Sequence, residues 1–153
     1  MALGWKLVVD AADPHGQAAF WAAALDYEIE DNTPVIERLL GLGAIDASMC
    51  VEKDGRRNFR GAVAVRHPDD PVAPDTGIGT GRRLLFQRVP EAGAESKRAK
   101  NRLHIDVHAG PEQREATVAK LVALGATRVR HVQEPQGEWT LLLDPEGNEF
   151  CVA

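Results

Sequence analysis

The sequence predicts an α+β fold of two βαβββ modules, whose mixed, mainly antiparallel sheets face each other around a cleft. Three observations carry this prediction. A strand, a helix and about three strands follow one another twice along the 153 residues. The openings of the two runs, KLVVDAADP (6–14) and RLHIDVHAGP (102–111), are alike, which marks an internal repeat. Short links join the strands after each helix, which favours antiparallel pairing with the helices on one face. On this plan residues 1–90 form the first module with a long irregular insertion, 91–100 a connector and 101–153 the second module.

In the first module, Lys6–Asp10 reads as a strand. Asp13 is placed to cap a helix that Pro14 opens and that runs to Leu25, with Phe20, Trp21, Ala24 and Leu25 as its apolar stripe. Trp21 sits at helical spacing with these residues and is expected in the core. Tyr27–Glu30 alternates like a strand. Val35–Leu42 suits a short helix, Ser48–Glu52 a strand, and KDGRR (53–57) a hairpin turn. Gly61–Arg66 is a further strand. HPDDPVAPDTGIGTG (67–81) is a loop, long enough to be either a functional lid or disordered. Arg83–Val89 closes the module as a strand.

In the second module, Leu103–His108 alternates. His104, Asp106 and His108 share one face, and Leu103, Ile105 and Val107 the other. Pro111 opens a helix carrying Val118, Leu121, Val122 and Leu124, and Gly125 stops it. Strands follow at Thr127–Val132, Trp139–Leu143 and Glu149–Val152. The turn before the last strand is strong: Pro145 fixes its own φ, and Gly147 is free to take a positive one. Glu149 and Cys151 then share a face opposite Phe150 and Val152.

Composition bounds the function. A chain this long buries enough surface to fold without disulfides or a structural metal. Its two cysteines, Cys50 and Cys151, stand in no paired motif and suit a reducing cytoplasm. The formal net charge of −5 and merely local basic pairs argue against nucleic acid. The amino terminus meets an aspartate too early for a signal peptide, and no apolar run approaches a membrane span. GIGTG (77–81) follows no strand and opens no helix, so it is not read as a nucleotide cradle.

The doubled module, the phrases AAFWAAALDYE (18–28) and LVALGATRV (121–129), and the terminal DPEGNEFCV (144–152) resemble the vicinal-oxygen-chelate superfamily, which includes glyoxalases, extradiol dioxygenases and bleomycin-resistance proteins. LFQRVPE (85–91) followed by KNRLHIDV (100–107) is similar to its glyoxalase-like branch common in actinobacteria. The resemblance implies four ligand positions in the metal-binding members, on the first and last strands of each module. Here they fall on His104, on Cys151, near Gln87, and on either Lys6 or Val8. Cys151 thus stands where those members usually carry a glutamate.

Lysine and valine are not ordinary metal ligands, and His104, Gln87 and Cys151 are an uneven set. The reading is therefore a protein with no tightly bound metal, holding a small organic ligand in the inter-module cleft. His104 and Asp106 are its candidate acid/base pair; Lys6, Gln87, His108 and Cys151 are candidate ligand contacts. Asp106 could instead pair with Arg102 or Lys6, and Cys151 could be a buried thiol or a nucleophile with His104 as its base. A divalent metal held by His104 with unusual partners, serving a lyase, isomerase or dioxygenase, is the first alternative. A non-catalytic module that pairs as a homodimer is the second.

Overall fold

A computed structural model describes residues 4–90, 92, 97 and 99–153. In the first module β1 (Leu7–Ala11) leads into α1 (Pro14–Leu25). Asp13 caps this helix by accepting from the Gly16 N–H, and Asp26 ends it in the left-handed region, its N–H bonded to the Ala22 carbonyl. Then come β2 (Glu28–Ile29), α2 (Thr33–Gly41), a short 3₁₀ turn, and the hairpin of β3 (Cys50–Lys53) and β4 (Arg56–Phe59). The hairpin turns on Asp54 and Gly55, both at positive φ, as the KDGRR phrase requires. The module closes with β5 (Ala62–Arg66) and β6 (Arg83–Arg88).

The second module runs through β7 (Ile105–Val107), α3 (Arg114–Ala123), β8 (Thr127–Glu134), β9 (Gly137–Leu143) and β10 (Glu149–Val152). Its sheet order, β7-β10-β9-β8, repeats the first sheet's β1-β6-β5-β2. In each sheet the first strand pairs parallel with the last, and the other pairings are antiparallel. The expected α+β fold of two modules with mixed, mainly antiparallel sheets holds, and the first carries α2 and the β3–β4 hairpin, which have no counterpart in the second. The connector at 91–100 lies in part outside the described residues.

One apolar core runs through both modules. Phe20 and Trp21 of α1 meet Phe150 of β10 edge-on, at ring-centroid distances of 6.1 and 5.1 Å. The Trp21 indole N–H donates to the Asp144 carboxylate at 3.3 Å. Glu146, in the turn before β10, accepts from the backbone N–H groups of Ala12 and Asp13 at 3.1 and 2.7 Å. A carboxylate there complements the positive end of α1. Phe150 and Val152 are buried to 1% and 0% exposure, so the opposite face of β10 looks away from the core.

The 67–81 loop is pinned at both ends. Asp70 grips the Arg82 guanidinium with both oxygens. The Gly79 N–H donates to Glu30 at 2.8 Å, and the fully buried Glu30 carboxylate forms a two-point pair with Arg83 at 2.6 and 2.8 Å. A Cβ on Gly79 would lie 3.0 Å from that carboxylate, so glycine permits the approach.

Three local readings change. β7 covers only Ile105–Val107, so His104 and His108 flank the strand and Leu103 is 82% exposed instead of joining an apolar face. β7 is an edge strand with β10 as its neighbour; the two strands end together at Val107 and Val152, but at the other end Glu149 of β10 has no β7 partner and the pairing begins at Ile105 and Phe150. Residues 111–113 form a turn before α3 starts at Arg114, and Gln113 gives no side-chain cap. Val122 and Leu124 face solvent at 43% and 41% exposure, and Val118 and Leu121 carry the helix's packing.

Candidate functional site

The strand register of the second sheet gathers the chemistry on its outward face. Asp106 of β7 lies opposite Cys151 of β10, Cys151 opposite Leu141 of β9, and Leu141 opposite Arg130 of β8. These four side chains form one row across the sheet, since residues directly opposite share a face. An open cavity of about 350 Å³ stands over the row, lined also by His104, Glu149, Trp139, Lys100 and Ala153.

His104 Nε2 lies 3.4 Å from an Asp106 carboxylate oxygen, and both side chains are solvent-accessible. A ring nitrogen of His104, an oxygen of Asp106 and the Cys151 Sγ all lie within 4.8 Å of one another. Cys151 is 8% exposed. Burial pushes its thiol pKa up, and the Asp106 carboxylate pushes it further, by its charge and by accepting the thiol's hydrogen bond; Lys100 and Arg130 pull the other way and lose. The thiol therefore stays protonated at neutral pH, contrary to what a nucleophilic cysteine needs.

Glu149 is the anchored acid of the site. Burial works to raise its pKa, but the Asn101 backbone N–H and the Lys97 ammonium outweigh it, and the net pKa falls below the ordinary value. Its oxygens accept from Lys97 at 3.0 Å and from Asn101 at 2.9 Å. These bonds tie the end of the connector to β10.

A second cavity, of about 490 Å³, lies between the modules. Val8, Asp10 and Trp21 line it from the first module, and Leu103, His104, Glu149 and Phe150 from the second. It shares His104 and Glu149 with the cavity over the row. The edge strands β1 and β7 thus flank a common space, and His104 stands where the two cavities adjoin.

The predicted residues separate into two groups. His104, Asp106 and Cys151 come together. Lys6 lines a third cavity, of about 710 Å³, that also reaches Asp106, yet it forms no ion pair with Asp106; nor does Arg102. Gln87 sits on β6 of the first sheet, opposite Asp10 and Ala62, and lines neither of the cavities at His104. His108 is exposed beyond the end of β7 and is not in the donor cluster. Of the four positions implied by resemblance, only His104 and Cys151 meet within this chain.

Sequence reasoning passed over Lys100, Arg130, Trp139 and Leu141. Alternation from Leu143 puts Leu141 and Trp139 on the Cys151 face, a signal that was legible. Arg130 was not legible in this way, because a β-bulge between Arg128 and Arg130 resets the alternation of β8.

As a metal set, His104, Asp106 and Cys151 offer one nitrogen, one oxygen and one sulfur. That mixture fits a soft ion such as zinc better than magnesium or manganese. The fit is partial: the thiol is held protonated, and Lys100 and Arg130 bring two positive charges to the same cavity.

A glyoxalase-like domain model matches residues 6–153. Among solved structures, the fosfomycin resistance protein FosX of Mesorhizobium loti aligns with a TM-score of 0.60 at 10% identity, covering 99% of this chain and 91% of that one. A glyoxalase/bleomycin resistance/dioxygenase family enzyme of Burkholderia phytofirmans aligns at 0.57 and 15% identity, over 96% and 94% of the two chains. The bleomycin-binding protein of Streptomyces verticillus, complexed with copper(II)-bleomycin, aligns at 0.51 and 15% identity, over 100% and 96%. At these identities the likeness speaks to the fold. No curated protein sequence matches.

Proposed function

The chain belongs to the glyoxalase-like domain family, and from that premise we propose that it binds a small organic ligand where the two cavities adjoin at His104, without a tightly held metal. The observation that carries the proposal is the His104–Asp106 pair: both residues line the cavity over the row, and His104 also lines the cavity between the modules. With Nε2 turned to the carboxylate, a neutral imidazole keeps its proton there and presents the Nδ1 lone pair outward. That nitrogen is the group able to take a proton from a bound ligand, and Asp106 steadies the imidazolium so formed. Cys151 lies directly across the strand pair from Asp106 and places a protonated thiol beside that carboxylate. Lys6 contributes positive charge from the neighbouring cavity. Gln87 and His108 have no part in this chain's own site.

A second reading is favoured by the donor cluster itself. His104, Asp106 and Cys151 would hold a zinc-like ion, which would supply Lewis acidity toward a ligand oxygen. A solved FosX of Listeria monocytogenes is complexed with manganese(II) and a dihydroxypropylphosphonic acid, so metal use has precedent in this fold.

Elemental analysis of untagged protein purified without chelators separates the readings, combined with a thermal-shift screen of a metabolite panel. The proposal expects metal well below one equivalent and stabilising compounds whose effect survives added chelator. That effect is expected to vanish in His104→Ala and to weaken in Asp106→Asn. Near-stoichiometric zinc, or stabilisation that chelator abolishes, would transfer the site to the second reading. A ligand shift untouched by His104→Ala would place the ligand elsewhere.

A further inference from the structure

We propose that the ligand of the second-sheet cavity is a small organic monocarboxylate with a flat or apolar body, held through its anion by Arg130. This rests on the reading that this cavity is the ligand site, and it assigns the ligand's class and direction.

The arginine's placement is built into the strand. Arg128 and Arg130 have the same parity, so an unbroken β8 would turn both to one face. The bulge makes Arg128 pair with Leu142 and Arg130 with Leu141, leaving Val129 as the extra residue. Arg128 consequently faces the helix side and meets Glu115 of α3 at 3.0 and 3.2 Å. Arg130 swings to the cavity face, and among the described residues no carboxylate lies within ion-pair distance of it. Bulges re-aim side chains in this way, often beside functional sites.

The cavity is polarised along its floor. Arg130 stands at one end of the row and Asp106 at the other, three strand spacings or about 14 Å apart at the backbone. Leu141 lies between them and Trp139 beside it, so the middle is apolar. A guanidinium fork matches the two coplanar oxygens of a carboxylate, and the indole and isobutyl groups suit a ring or a short alkyl chain. The Asp106 carboxylate at the far end repels a second negative group, and Glu149 there is already paired with Lys97, which argues for a monoanion. Lys100, also on the cavity wall, adds to the positive potential. The volume of about 350 Å³ is near the lower limit for ligand sites, so the body is small. Held so, the ligand directs its uncharged end toward His104.

The test uses benzoate, phenylacetate and hexanoate, each beside its neutral amide, titrated into ¹⁵N-labelled protein. The readout is the indole N–H resonance of Trp139, assigned by its loss in Trp139→Phe. At least one carboxylate is expected to move that resonance saturably, to bind at least about tenfold tighter than its amide, and to weaken as salt rises. Arg130→Met is expected to weaken the carboxylate by about 10- to 100-fold and leave the amide unchanged, with Arg130→Lys intermediate. Arg128→Met is expected to bind as the parent does. Amides that bind as well as their acids, or carboxylate binding indifferent to Arg130→Met, would overturn the anion assignment and leave the ligand cavity standing. If no probe, charged or neutral, moves Trp139, both the assignment and the cavity as ligand site fall.

Discussion

Replacing Phe150 by alanine tests whether the two modules form one cooperative unit. The ring is 1% exposed on β10 and meets Phe20 and Trp21 of the other module at 6.1 and 5.1 Å. Truncating a buried phenylalanine costs about 3–5 kcal/mol through lost transfer energy and the cavity left behind. Each edge-on aromatic contact is worth about 0.5–1.5 kcal/mol of that, beyond simple area. For a chain of this size each kcal/mol moves the melting temperature by about 2–4 °C, so the expected fall is roughly 6–20 °C. The assay is differential scanning calorimetry of wild type and Phe150→Ala, with a Trp21→Leu/Phe150→Ala cycle to isolate the pair. One transition, shifted as a whole, and a coupling of about 0.5–1.5 kcal/mol are expected. Two resolved transitions of which only one shifts would refute the argument, because the ring would then serve one module alone.

Three further outcomes follow from the buried charges and the thiol. Glu30→Gln leaves Arg83 facing a neutral amide in a closed site, and equilibrium urea unfolding should show a loss of about 3–5 kcal/mol; a loss below 1 kcal/mol would mean the pair is far better hydrated than its burial implies. Ellman's reagent should modify Cys50 well before Cys151 at neutral pH, and Asp106→Asn should move the pH profile of Cys151 modification downward; a profile that stays put would remove Asp106 as a cause of the raised pKa. Glu149 has a depressed pKa when folded, so its contribution to stability is complete above the unfolded value near 4.5 and fades as pH falls through the folded one. Melting temperature should therefore drop less steeply in acid for Glu149→Gln than for wild type, and parallel acid limbs would contradict the assignment.

Much of this was legible in local chemistry. The Asp13–Pro14 cap and the turn at 144–148 delimit α1 and β10 because both signals are short-range. Alternation correctly separated Phe150 and Val152 from Glu149 and Cys151, and the first pair proves to be the face packed in the core. What escaped depends on partners distant in sequence. Glu30 and Arg83 would each read as surface charges, since nothing local announces that they meet in a closed site. The ends of β7 were misjudged because an edge strand is defined by its pairing with one neighbour, which runs only from Ile105 to Val107, whatever its own alternation. Cys151's protonation is set by its burial and by Asp106 on a different strand, and parity alone would assign Arg130 the same face as Arg128.

The duplicated fold explains why the chemistry gathers on one sheet. The first sheet's open face has equivalent rows, but they read Val8–Leu85–Ala64 and Asp10–Gln87–Ala62. The first of these is wholly apolar, and the second pairs one acid with an amide and a methyl. The second sheet's row carries an acid, a thiol, an alkyl group and a guanidinium in order. Identical strand topology therefore presents two surfaces of different character, one greasy and one polarised, bordering a common junction at β1 and β7. A site of this kind needs the first module as a scaffold and wall: Trp21 props β10 from behind, and Glu146 ties the preceding turn to α1. The cavity-facing side of β10 is then positioned by contacts made through its opposite face, which couples the stability of the aromatic junction to the geometry at His104.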